Sequence, residues 1–193
     1  MIEPRLLAWA HAVSRRGGLG VPPLWLFTDA RRMPDPRAAV AGLPRGLAGV
    51  VLRHDGAPGR EALGRDLARL CRARRLVLVV AGDVRLAAAL RAGVHLRGGR
   101  WPGPVRVRAL LTSSAHSIPE LRRARQAGAA LVFLSPLFPT ASHPDAPALG
   151  PARWARMASA VPLAAAALGG VNGVNLRRLP HECRAIGAIG ALT

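Results

Sequence analysis

Short apolar runs alternate with longer amphipathic stretches along almost the whole chain. Residues 24–28, 49–52, 76–80, 93–96, 109–112, 130–134, 163–168 and 185–189 form runs of strand length dominated by apolar side chains. Between many of them lie stretches with helical spacing, at 36–43, 61–74, 84–91, 119–127, 151–160 and 174–182. Pro119 and Pro151 suit first-turn positions, and Gly128 suits a helix stop. Strands apolar on both faces belong to a parallel sheet covered on both sides. Eight such units predict a small α/β (β/α)8 TIM barrel rather than an open doubly wound sheet.

Two departures from that pattern matter. The segment Arg97-Gly98-Gly99-Arg100-Trp101-Pro102-Gly103-Pro104 is too rich in Gly and Pro for a full helix, so the fourth outer helix is expected to be poorly formed. Few residues follow the eighth run, so the eighth outer helix is expected to be missing. Residues 1–20 read as a helical extension and 21–193 as the barrel domain. The extension carries Leu6, Leu7, Ala10 and Val13 on one face. Either that face or a second copy of the chain, in a homodimer, would cover the apolar surface left open.

A length of 193 residues suits one domain with a sizeable core. Its 50% hydrophobic content excludes a disordered chain. No apolar run reaches the roughly 18 residues of a membrane-spanning helix, and the first residues do not read as a signal peptide. Cys71 and Cys183 lack metal-ligand spacing, which fits reduced thiols and a cytoplasmic location. The net charge is +18, and all 28 basic residues are arginine. Lysine chemistry such as a Schiff base is therefore excluded. The arginines are spread over helix faces, as at Arg65, Arg69 and Arg72, and the chain has no Tyr and only three Phe. The basic–aromatic interleaving of a nucleic-acid platform is thus missing. The charge reads as a solvated surface whose field draws small anions, and nucleic acid is not the expected partner.

In a parallel barrel, chemistry sits at the C-terminal ends of the strands. Those ends present Asp29, Arg53-His54-Asp55, Asp83, His95, Ser113-Ser114-Ala115-His116-Ser117, Ser135-Pro136, Thr140, Gly169-Gly170 and Gly190. Glycines after the seventh and eighth strands let backbone N–H groups approach a phosphate closely. His116 is the candidate for proton transfer, a role open to an imidazole. His95 is expected to pack within the barrel mouth.

The order of these motifs resembles the thiamine-phosphate synthase/TenI family of small (β/α)8 barrels. The stretches that carry the resemblance are Leu24-Trp25-Leu26-Phe27-Thr28-Asp29, Leu52-Arg53, Gly93-Val94-His95-Leu96, Ser114-Ala115-His116-Ser117, Gly128-Ala129, Ser135-Pro136-Leu137-Phe138-Pro139-Thr140, Gly150 and Gly169-Gly170. The resemblance implies a phosphorylated thiazole as substrate. The family's synthases join hydroxymethylpyrimidine pyrophosphate to thiazole phosphate, with Mg²⁺ neutralising the departing pyrophosphate. Some TenI proteins instead tautomerise a thiazole phosphate carboxylate, with the histidine of Ser-x-His-Ser moving protons.

Carried over by motif, His116 becomes the catalytic acid/base. Arg53, Ser114 and Thr140 become substrate ligands, Gly169, Gly170, Gly190 and Ala191 phosphate ligands, and Asp83 a metal ligand. Departures cluster on the pyrophosphate side. Gln-Leu-Arg-x-Lys reads Val51-Leu52-Arg53-His54-Asp55, and the Asn-Asp pair reads Ala81-Gly82-Asp83, matching only after a one-residue shift. A second metal-binding Asp falls at Arg100, and a lysine after Pro-Thr falls at His143. The retained thiazole half makes a TenI-like tautomerase the expected function. A thiamine-phosphate synthase with an altered pyrophosphate site, or a non-catalytic barrel binding a phosphometabolite or RNA, are the alternatives. Mg²⁺ is expected only for the synthase.

Overall fold

The computed structural model describes residues 2–16, 20–102, 108–140 and 147–192. Eight parallel strands close into a barrel in chain order: β1 (Leu24–Phe27), β2 (Ala48–Leu52), β3 (Val77–Ala81), β4 (Gly93–Arg97), β5 (Leu111–Ala115), β6 (Leu131–Leu134), β7 (Ala165–Leu168) and β8 (Cys183–Ala188). Closure is made by β8 against β1, with Leu24 opposite Ile186 and Leu26 opposite Ala188. Outside the barrel lie α1 (Pro4–Arg15), α2 (Arg37–Gly42), α3 (Arg60–Ala73), α4 (Val84–Leu90), α5 (Ile118–Gln126) and α6 (Gly150–Ser159).

Alternation along each strand sorts two cores. Leu24 and Leu26 of β1 join the layer shared with the helices, while Trp25 and Phe27 turn inward. The interior is filled by three aromatic rings, with Phe133 edge-on to Trp25 at 5.6 Å and to Phe27 at 4.8 Å. Large rings require small neighbours across the barrel. Gly49 pairs with Trp25 in register, and a Cβ on Gly49 would lie 2.6 Å from the indole ring. Gly49→Ala is therefore expected to lower stability by about 1–3 kcal/mol, read as a reduced denaturant midpoint at unchanged slope.

The first helix lies against β8 and the 3-10 turn Leu176–Arg178, with Leu6 and Ala10 fully buried. It thus covers part of the barrel wall, as its amphipathic face predicts. Its preceding residue, Glu3, accepts a hydrogen bond from the Gly173 N–H at 3.0 Å, in the loop after β7.

Two expectations need correction. The helix read over 174–182 is only that one 3-10 turn. The Asn172 side-chain oxygen accepts from the N–H groups of Val174 and Asn175, and Pro180 follows closely, so the backbone is committed to a turn. The fifth strand runs to Ala115, beyond the apolar run, because Ser113 and Ser114 pair with β4 and β6. No helix stands between β4 and β5, or after β8, among the described residues, as the sequence pattern predicts. No helix is long and apolar enough to cross a membrane. Cys71 and Cys183 are buried free thiols, each pushed up to about 12 by burial.

Candidate active site

The C-terminal strand ends surround one cavity of about 1410 Å³. Arg53, Ser114, His116, Thr140, Gly169, Gly170, Gly190 and Ala191 all line it. Asp83 does not.

On one side lies the loop after β7. Gly169 and Gly170 adopt φ of 90° and 68°, a region closed to most side chains. Their carbonyls are engaged within the fold: Gly169 accepts from the Phe138 N–H at 3.1 Å and Gly170 from the Asn175 amide at 2.7 Å. That arrangement leaves their N–H groups as the donors this loop offers an anion.

His116 sits between the two sides of the cavity. Its ring Nδ1 lies 2.9 Å from the Ser135 carbonyl, which only accepts, so Nδ1 carries the proton and the neutral ring keeps Nε2 as its basic nitrogen. The His116 backbone N–H donates to the Glu120 carboxylate, three residues into the turn that Ser117 opens. The Ser135–Pro136 peptide bond is cis.

The opposite rim is cationic. Arg31, Arg32, Arg53, Arg97 and Arg100 line the cavity, with Asp29, Asp55 and Glu120 as the carboxylates among the described residues. The Arg53 guanidinium donates to the Thr28 carbonyl at 3.0 Å and to Asp29 at 2.9 Å. Burial draws its pKa down against the pull of Asp29 and Asp55, yet guanidinium stays charged at physiological pH. Burial raises the Asp29 pKa, but the N–H groups of Arg32 and Arg31 and the charge of Arg53 outweigh it and hold Asp29 below the usual carboxylate range. Beneath them, Thr28 Oγ1 accepts from the Arg53 N–H and hydrogen-bonds the buried His54 ring at 2.9 Å. Asp55 pairs with Arg97, and with Arg60 at 3.5 Å.

His95 forms the floor, as the packing reading expects. It is 3% exposed, hydrogen-bonded to Thr112 at 2.9 Å and edge-on to Phe27 at 5.5 Å. Burial, reinforced by Arg53 and Arg97, pushes its pKa down to about 3.

A family profile described as thiamine monophosphate synthase matches residues 25–192, which is most of the chain. The chain belongs to the thiamine monophosphate synthase/TenI family. It is 34% identical over 191 residues to a thiamine-phosphate synthase from a Roseiflexus species, covering 91% of this chain and 78% of the relative. A thiamine-phosphate synthase from Geobacillus kaustophilus is 38% identical over 126 residues, covering 61% of this chain. That match spans 57% of the Geobacillus protein's length. Among solved structures, the thiamine phosphate pyrophosphorylase of Pyrococcus furiosus superimposes with a TM-score of 0.70 at 25% identity, covering 86% of this chain and 84% of that one.

Among the described residues, the acidic positions of the family motif do not form a fitting set of donors for the Mg²⁺ that this family implies. Asp83 caps α4 by accepting from the Leu86 N–H at 2.9 Å, and it pairs with Arg60 at 3.3 Å. Arg100 stands at the second acidic position. Among the described residues, no cluster of three His, Cys, Asp or Glu could hold a metal. His143 lies outside the described residues. The residue that sequence reasoning passed over is Arg97, hidden in a Gly/Pro-rich stretch. The signal available was its place at the C-terminal end of the fourth strand.

Proposed function

We propose that this barrel of the thiamine biosynthetic family is a thiamine-phosphate synthase, joining hydroxymethylpyrimidine pyrophosphate to thiazole phosphate with release of pyrophosphate. The observation that carries this reading is a single cavity with two anion-seeking poles: the Gly169–Gly170 loop and the arginine rim. Two phosphorylated substrates need two such poles. A volume of about 1410 Å³ exceeds the roughly 300–1,000 Å³ usual for one small ligand. The naming of the relatives as thiamine-phosphate synthases supports the same reading. In it, the glycine loop with Gly190, Ala191 and Thr140 holds the thiazole phosphate. Arg53 and the rim hold pyrophosphate, and Ser114 and His116 lie between them.

A second reading, tautomerisation of thiazole phosphate carboxylate, is favoured by the His116 tautomer, whose Nε2 is the basic nitrogen. Incubation with both synthase substrates is expected to yield thiamine phosphate and one pyrophosphate per turnover. The tautomerase reading expects NMR of the thiazole carboxylate to show isomerisation, slowed about 10²–10⁴-fold in His116→Ala. Binding of thiazole phosphate with neither product would make the protein a binding barrel instead.

A further inference from the structure

We propose that the rim turn Arg97-Gly98-Gly99-Arg100, together with Arg53, binds the pyrophosphate group of a diphosphate ester without a divalent metal. The inference rests on the reading that one substrate carries pyrophosphate. Its starting point is the mismatch between the acidic metal site the family implies and the residues found there.

The turn is a built platform. Its central residues, Gly98 and Gly99, have φ of 56° and 73°, the signature of a type I′ turn, and the Arg100 N–H closes it on the Arg97 carbonyl at 3.0 Å. The Gly98 N–H donates to the Ser114 carbonyl at 3.0 Å, and the Gly99 N–H to the buried Ser113 hydroxyl at 3.0 Å. Arg123 donates to the Gly98 carbonyl at 2.9 Å, and a Cβ on Gly99 would collide with the backbone of Ala124. Two guanidinium-bearing residues are thereby set at one rim of the cavity by an anchored backbone, before any ligand arrives.

The charges around the turn are exchanged relative to the family pattern in a coherent way. The motif places a carboxylate near Gly82, and the guanidinium carbon of Arg97 lies 3.6 Å from where a Gly82 Cβ would stand. A second carboxylate is replaced by Arg100, and a lysine by Asp55. Asp55 in turn is the counter-ion of Arg97 and Arg60. Cation and anion have changed places, so the positive charge that a metal would bring is covalently present. Guanidinium groups bind phosphate oxygens through paired N–H donors and stay charged at any working pH. A magnesium ion would compete for those same oxygens, so added Mg²⁺ should weaken binding.

Calorimetric titration with inorganic pyrophosphate tests this. In excess EDTA, binding should be saturable, and excess Mg²⁺ should weaken it. Arg100→Ala, and Arg97→Ala with Arg100→Ala, should each weaken pyrophosphate at least about tenfold, with the melting temperature unchanged. Binding seen only with Mg²⁺, or retained by both variants, overturns the proposal. Thiazole phosphate is titrated separately in the same samples. Its failure to bind would overturn the functional reading above, while the pyrophosphate result would still decide the metal question.

Discussion

Gly170→Ala should sharply weaken thiazole phosphate binding while the barrel still folds. At φ of 68°, a side chain is strained before any contact is considered. The added Cβ would also meet the Pro139 carbonyl oxygen and lie 2.8 Å from the Phe138 Cβ. The loop after β7 and the segment carrying Thr140 would have to separate. Those two segments are also joined by the Phe138 N–H to Gly169 carbonyl bond at 3.1 Å, so the displacement reaches the neighbouring glycine. Strain and overpacking together should cost about 1–3 kcal/mol of stability. Affinity should fall by about a hundredfold or more, because misplacing the N–H donors by even an ångström forfeits their charge-assisted bonds. Calorimetry against thiazole phosphate, with a denaturation curve on the same sample, separates the two effects. Wild-type affinity in this variant would remove the glycine loop from the phosphate site.

Acid should destabilise the protein well above the carboxylate range, and His95 should be the reason. Its folded pKa is about 3 against an ordinary 6.5, so the unfolded chain binds the proton and the folded chain does not across that interval. Its stabilising contribution is complete above about pH 6.5 and falls as pH drops toward 3, by at most about 1.4 kcal/mol per pH unit. Asp29 follows the same sign at lower pH. Its lowered pKa gives stability that is present above the unfolded value of 3.8 and lost only below it. The interval from about pH 4 to 6.5 therefore separates the contribution of His95 from that of Asp29. His95→Gln should be less stable near pH 7, having lost its ring packing, but should show a flatter slope through that interval. Equal slopes in the two proteins would mean that the buried ring accepts a proton without penalty.

Much of the architecture was readable because barrel strands are covered on both faces, which leaves plain apolar runs, and because turns and caps carry their own residues. What failed to show was governed by partners distant in sequence. Ser113 and Ser114 look like loop residues, yet they are strand because β4 and β6 supply their hydrogen-bond partners. The stretch at 174–182 has helical spacing, but Asn172 captures the N–H groups that would begin a helix. At the site, the positions at strand ends were legible, since the fold brings those ends together whatever they carry. The commitments of individual charges were not. Asp83 reads as a metal ligand until Arg60 and the first turn of α4 claim it, and Asp55 reads only as an acid at the motif's lysine position until Arg97 and Arg60 are seen to pair with it.

Barrel closure by β1 against β8, reinforced by Glu3 reaching a residue 170 positions away, sets a constraint on biosynthesis. A ribosome releases Trp25 and Phe27 long before the strand that seals them from water has been made. The nascent chain must carry these rings unsealed until the eighth strand has emerged, while unpaired strand edges invite aggregation. Native pairing of such high contact order is also slow to form once the chain is free. Recombinant yield should therefore respond to slower synthesis, lower temperature and added chaperone more than to any gain in the stability of the finished fold.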